Sequence, residues 1–101
     1  MPVEPLSRKE IEDRLAKLPG WSLDGDSLTR SYRLASHFAA TALVVHIAQV
    51  QEELDHHGDL TLGYRTVGLT VTTHSAGGKV TALDFGLAER VEALAPAHGA
   101  G

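Results

Sequence analysis

Apolar side chains recur every three or four residues in three segments of the chain, which predicts three helices. The first of these segments begins at Ser7, and Glu10 completes a capping box three residues later. Its apolar stripe opens at Ile11, and the pair Pro19-Gly20 is expected to end the helix. A short amphipathic helix at the start of the chain follows from this pattern.

The second helical segment is the longest, and it is apolar on more than one side. Ser36 can cap its start, and the segment runs to about His56. Its main apolar face consists of Ala40, Leu43, Ile47, Val50 and Leu54. Phe38 and Val45 widen this face, which is typical of a central helix or of one at a subunit interface. Gly58 is expected to supply the left-handed residue that stops the helix.

The third helix is predicted to begin at Thr81, where Asp84 repeats the capping arrangement of the first helix. Leu87 and Val91 belong to its apolar stripe, and Pro96 is expected to end it. Asp84 can therefore serve as a helix-start residue, whatever other role it has.

Two regions between the helices alternate apolar and polar residues, as strands do. In residues 21–34 a turn at Asp24-Gly25-Asp26 separates two short strands, and in residues 60–71 the alternation continues through a second strand pair. The order of elements is helix, two strands, helix, two strands, helix. It predicts an α+β fold in which three helices pack on one face of a four-stranded antiparallel sheet.

Composition limits the possible organisation and partners. With 101 residues, 43% of them hydrophobic, the chain is expected to form one domain over residues 1–101, with 1–5 and 97–101 as loose tails. The absence of cysteine excludes disulfides and thiolate metal sites. Nine Lys and Arg stand against thirteen Asp and Glu without a basic cluster, which argues against nucleic-acid binding. No apolar stretch predicts a signal peptide or a membrane span, so we expect a cytoplasmic protein.

The candidate chemistry is concentrated between residues 52 and 84, which contain half of the six histidines. His56 and His57 follow the long helix, and His74 follows the last strand, so folding can bring the three together. Three imidazoles in one cleft favour proton transfer or metal binding. We expect no metal, because adjacent helical residues point about 100° apart and no familiar ligand spacing is present. Taken alone, a histidine at a helix end can simply complement the helix dipole.

The residues of this region also resemble a known family. The resemblance rests on Glu52, the pair His56-His57, Tyr64, Thr73-His74 and Asp84. Their order and spacing are similar to those of the pterin-4a-carbinolamine dehydratases, also called 4a-hydroxytetrahydrobiopterin dehydratases, and the similarity extends from about Leu6 to Leu94. It implies a hydro-lyase of tetrahydrobiopterin recycling that converts a 4a-hydroxytetrahydropterin to the quinonoid dihydropterin.

The resemblance implies that the reaction needs no cofactor or metal and that His56, His57 and His74 are catalytic. Substrate-binding or histidine-orienting roles would then fall to Glu52, Asp55, Tyr64, Thr73 and Asp84. From the residues alone, Tyr64 lies on an apolar strand phase and can equally be a packing residue. Two departures are visible: Gly58 replaces the proline usual after the histidine pair, and the loop from His74 to Asp84 is about one residue longer.

Two alternatives to the active enzyme remain. Some relatives on this fold are non-catalytic RuBisCO assembly factors, and others bind a transcription factor as a dimerisation cofactor. A pterin-handling protein of another pathway, such as molybdopterin metabolism, is the second alternative. Retention of all three histidines favours the enzyme. Like members of the family, the chain is expected to form a homodimer or homotetramer.

Overall fold

The computed structural model describes residues 3–101 and has the predicted order of elements. These are α1 (Arg8–Leu15), β1 (Ser22–Asp24), β2 (Ser27–Arg33), α2 (His37–Leu54), β3 (Asp59–Leu62), β4 (Thr66–Val71) and α3 (Ala82–Leu94). Short 3₁₀ helices lie at His74–Ala76 and Ala95–His98. Residues 1 and 2 of the expected N-terminal tail lie outside the described residues. No helix of residues 3–101 is long and apolar enough to cross a membrane.

The four strands form one antiparallel sheet in the order β1-β2-β4-β3. In the central pair, Leu28 lies opposite Val71 and Tyr32 opposite Val67. A two-residue turn joins β1 to β2, because Asp24 pairs with Ser27. The predicted α+β class and both strand pairs are confirmed.

Only one face of this sheet is apolar, and the helices cover it. The buried side chains of β2 and β4, with the residue that follows β2, are Leu28, Tyr32, Leu34, Val67, Leu69 and Val71. The alternate residues point to the other face, where the hydroxyls of Thr29 and Thr70 lie 3.3 Å apart. This division is typical of an antiparallel sheet with one solvated side.

The long helix α2 buries only one of its two apolar faces. Ala40, Leu43, Ile47 and Val50 are fully or almost fully buried against the sheet and α3. On the other side, Phe38 is 83% exposed and Val45 is 64% exposed. Within residues 3–101, the chain therefore leaves this second apolar face uncovered.

The first helix is shorter than predicted, although its start is confirmed. Ser7 and Glu10 form the complete capping box. The α-helix ends at Leu15 rather than at Pro19-Gly20. After it, backbone amides bond to the carbonyl three residues back instead of four, as Leu18 N–H does to the carbonyl of Leu15. Leu18 still reaches the core and is 7% exposed.

The prediction that Gly58 stops α2 is wrong. Asp55 adopts the left-handed conformation instead, with φ 50°, and the amides of Asp55 and His56 bond to the carbonyls of Glu52 and Gln51. This is the hydrogen-bond pattern of a Schellman stop. Aspartate tolerates this conformation better than most side chains, so the helix ends before the glycine is reached.

The C-terminal residues, for which the sequence suggested a loose tail, contact the rest of the molecule. Pro96 ends the α-helical geometry, but the chain continues as the 3₁₀ helix. Gly101 and Arg33 then exchange two backbone hydrogen bonds of 2.9 and 3.0 Å. His46 of α2 and His98 of the 3₁₀ helix approach each other, with ring nitrogens 2.8 Å apart.

Candidate active site

The buried carboxylate of Asp84 is the central group of the site. Asp84 lies in the first turn of α3 and is 0% exposed. Its Oδ2 accepts the backbone N–H of Thr81 and the hydroxyl of Thr73, both at 2.8 Å. Its Oδ1 lies 2.7 Å from Nε2 of His56. The predicted helix cap is thus confirmed, and the same carboxylate also binds a histidine from another element.

The hydroxyl groups around Asp84 have defined directions. The hydroxyl oxygen of Thr81 accepts the N–H of Leu83 at 3.1 Å, so its proton can be donated to Thr73, 2.7 Å away. Thr73 in turn donates to Asp84. Every hydroxyl of this buried chain is therefore satisfied, which makes the arrangement rigid.

His56 is held in one orientation by this carboxylate. It follows the left-handed residue Asp55, and it is 9% exposed. Because Asp84 can only accept when ionised, Nε2 of His56 is the donor of their hydrogen bond. In the neutral ring, the free acceptor is then Nδ1, so the carboxylate selects the tautomer.

His57 makes a similar pair in a very different environment. Its Nε2 lies 3.0 Å from Oε1 of Glu52, one turn back along α2. The side chains are 50% and 76% exposed, respectively. Here too the carboxylate accepts and Nδ1 of the neutral ring is the free acceptor.

His74 is exposed and begins the 3₁₀ helix that follows β4. The preceding residue, Thr73, fixes the base of its loop: its N–H bonds to the carbonyl of Lys79 at 3.0 Å, and its own carbonyl accepts from Gly78 at 3.1 Å. The hydroxyl of Thr73 binds Asp84. The loop of His74 and the turn of His56 are thus both attached to the same carboxylate.

Within the single chain, Tyr64 lies away from His56, and its predicted substrate-binding role stays a prediction. It follows β3, is 75% exposed, and stacks on His37, the first residue of α2, with ring centroids 6.2 Å apart. His56 follows the other end of that 18-residue helix, which spans about 27 Å. The apolar alternation that placed Tyr64 in a strand ends at Leu62, because the hairpin turn begins there.

Two further residues of the site were not predicted as such. Thr81 was identified only as a helix cap, although its hydroxyl also contacts Thr73. Gln51 lies on the buried side of α2, is 4% exposed, and accepts the N–H of Gly58 at 2.8 Å through its side-chain oxygen. No pattern in the sequence marks Gln51, because the partner amide is defined only by the turn after the helix.

Two concave surfaces of the chain lie away from the three histidines. A cavity of about 200 Å³ is lined by residues that include Leu6, Leu23, Asp26 and Lys79, and another of about 360 Å³ lies beside Arg14. Neither is lined by His56, His57 or His74. Within residues 3–101, no three His, Cys, Asp or Glu side chains converge as a metal site. Of the three histidines, His56 is buried, whereas His57 and His74 are exposed.

Comparison with known proteins identifies the family. The family model described as pterin 4 alpha carbinolamine dehydratase matches residues 4–94. The chain belongs to this family. A relative from Streptomyces avermitilis, provisionally named pterin-4-alpha-carbinolamine dehydratase, is 80% identical over 100 residues. The match covers 99% of this chain and 99% of the relative. A relative from Streptomyces coelicolor with the same provisional name is 73% identical, with 99% of both chains covered.

Two solved structures are similar to the fold. The crystal structure of a transcriptional coactivator/pterin dehydratase from Brucella melitensis has a TM-score of 0.83 and 33% identity, and the match covers 89% of this chain and 97% of that one. A pterin dehydratase-like protein identified as a RuBisCO assembly factor in the alpha-carboxysome has a TM-score of 0.59 and 21% identity, with 73% and 84% covered. The second similarity concerns the fold alone.

Proposed function

We propose that the protein is a dehydratase that removes water from 4a-hydroxytetrahydrobiopterin and yields the quinonoid dihydropterin, as part of tetrahydrobiopterin recycling. Membership of the family supports the substrate class. The observation that carries the proposal is the pairing of two successive histidines with carboxylates through Nε2. This pairing leaves both Nδ1 atoms available for proton transfer.

The reaction requires two proton transfers. A proton is delivered to the hydroxyl on C4a, which leaves as water, and the proton on N5 is removed while the C4a–N5 double bond forms. Imidazole suits both steps, since its ordinary pKa of about 6.5 lets it donate or accept near neutral pH. One positioned acid or base contributes roughly 10²–10⁴-fold to the rate.

The surroundings suggest how the histidines divide these steps. The carboxylate of Asp84 stabilises the imidazolium that forms when His56 accepts a proton, as in other carboxylate–histidine pairs. His56 is therefore assigned as the base toward N5. His57 and His74 are exposed, so they can exchange protons with water between turnovers. One of them is assigned as the acid toward the leaving hydroxyl.

The test of the proposal is the rate at which purified protein dehydrates a synthetic 4a-hydroxytetrahydropterin. We expect catalysis above the buffer rate without added metal, and the same rate after treatment with a chelator. A rate equal to buffer, or one that appears only with zinc, would overturn the proposal. The first of these results would favour a non-catalytic assembly module.

We also infer that the protein forms a homo-oligomer. The exposed side chains of Phe38 and Val45 form part of an apolar face of α2 that the chain does not cover. Contact with a second copy would remove such a face from water. Light scattering at micromolar concentration is expected to give at least twice the monomer mass of 10.8 kDa. A monomer would contradict the inference.

A further inference from the structure

Gln51 holds both ends of the segment that carries the two successive histidines. Its side-chain oxygen accepts the N–H of Gly58 at 2.8 Å, and its backbone carbonyl accepts the N–H of His56 at 3.1 Å. At 4% exposure, it is a polar residue of the buried face of α2. A buried amide side chain in that position requires a partner, and Gly58 provides it.

The surroundings of Gly58 explain why a hydrogen bond is needed there. A Cβ atom at this position would lie 2.6 Å from the carbonyl oxygen of Thr70 and 2.9 Å from the side chain of Leu69. The close approach to β4 therefore excludes any larger residue, a proline included. Glycine fits, but its backbone is more flexible than that of other residues. It also has an N–H donor, which proline lacks and which requires an acceptor.

We propose that Gln51 is a positioning residue of the histidine pair, and that its hydrogen bond to the N–H of Gly58 restricts the backbone that carries His57. The role rests on the proposed dehydratase function. In this chain, the N–H groups of His56 and Gly58 both bond to Gln51 of α2, so the residues on either side of His57 are fixed to that helix. A displacement of about 1 Å in a catalytic group can cost about 10²-fold in rate.

The amide of Gly58 reports this contact without reference to activity. In a Gln51→Met variant, a side chain of similar length replaces the amide and the acceptor is lost. We expect hydrogen exchange at Gly58 to accelerate at least about tenfold, because exchange follows local opening. The imidazole NMR signals of His57 should shift or broaden. The matched control is Gln49→Met, at an exposed position of the same helix. It should leave the exchange rate at Gly58 and the imidazole signals of His57 unchanged.

The effect on catalysis is measured on the same variants at a temperature where all are folded. For Gln51→Met we expect kcat to fall about 10–100-fold with a smaller change in KM, because orientation and not substrate contact is lost. Gln51→Glu retains an oxygen at the acceptor position and should recover part of both the Gly58 protection and kcat.

Unchanged exchange at Gly58 in Gln51→Met would overturn the proposal, as would faster exchange with kcat in the range of the unmodified protein. An inactive unmodified protein is a separate result. It would refute the dehydratase function and the positioning role with it, while the exchange data would still establish whether the contact exists.

Discussion

His56 and His57 are adjacent in sequence and each pairs with a carboxylate through Nε2, yet their surroundings are opposite. In the pair of His56 with Asp84 the side chains are 10% and 0% exposed, at 2.7 Å. In the pair of His57 with Glu52 they are 50% and 76% exposed, at 3.0 Å. Exposed pairs contribute little to stability, whereas removing one partner of a buried pair is costly. The pair of His56 with Asp84 is therefore expected to stabilise the fold, whereas the pair of His57 with Glu52 is expected to contribute little to stability.

The difference originates in how far apart the partners lie along the chain. Glu52 and His57 are five residues apart, at the end of one helix. His56 and Asp84 are 28 residues apart, and only the packing of α2 against α3 brings them together. The buried pair can therefore form only in the folded protein, and its contribution is coupled to folding.

The largest effect on stability is expected for Asp84→Ala. The change removes the helix cap and leaves His56, Thr73 and the amide of Thr81 without their acceptor. A helix cap alone is worth about 1 kcal/mol, and each buried donor that loses its acceptor adds about 1–3 kcal/mol. Urea unfolding should therefore give a loss well above that of a cap. A loss of about 1 kcal/mol or less would mean that Asp84 is a cap only.

A smaller difference is expected between the two histidines themselves. His56→Ala leaves one oxygen of the buried Asp84 without its donor, which costs about 1–3 kcal/mol. His57→Ala removes an exposed side chain, so the free energy of unfolding should change by less than about 0.5 kcal/mol. Equal losses in urea unfolding would contradict the distinction between the buried and the exposed pair.

Alkaline pH tests a second buried acid, Tyr32 of β2, which contacts α3 through Glu92. Burial of the phenol, together with its hydrogen bond to Glu92, raises the pKa of Tyr32 well above its ordinary value. In the unfolded chain a tyrosine ionises near pH 10. The contribution of Tyr32 is therefore complete below about pH 10 and declines as the pH rises further, since only the unfolded state then loses the proton.

The measurement is the urea midpoint between about pH 9 and pH 11. Tyr32→Phe should make this dependence shallower, because the titrating group is gone. A slope that is identical in the variant would show that other groups determine alkaline unfolding.

The smallest effect is expected for Glu52→Gln, at the exposed pair. Glutamine retains an oxygen that can accept from His57, so unfolding should change by less than about 0.5 kcal/mol. Turnover should fall less than in His57→Ala, since orientation is weakened and the imidazole remains. A loss of turnover equal to that of His57→Ala would make the carboxylate charge itself essential.

The helix starts and the strand pairs followed from the sequence because their causes are local. Ser7 with Glu10, and Thr81 with Asp84, satisfy helix amides a few residues away, and a spacing of three reveals them. The contact of Gln51 with Gly58 depends on the direction in which the chain leaves α2, and no local pattern encodes that.

The predicted strand position of Tyr64 was wrong for a related reason. Alternation predicts the strand, but it does not define where the hairpin turns, and a residue beyond the turn lies at the far end of the sheet. Proximity of His56 and Asp84 could be expected only through the family resemblance, because their contact joins two separate elements.

The most direct test of the account is the turnover of three single variants, His56→Ala, His57→Ala and His74→Ala. His37→Ala is the matched control, because that histidine is exposed at the opposite end of α2. We predict that His56→Ala and at least one of His57→Ala and His74→Ala lose about 10²–10⁴-fold in dehydration rate, while His37→Ala retains the rate of the unmodified protein. If His57→Ala and His74→Ala both keep near-normal turnover, the histidine mechanism proposed here is wrong.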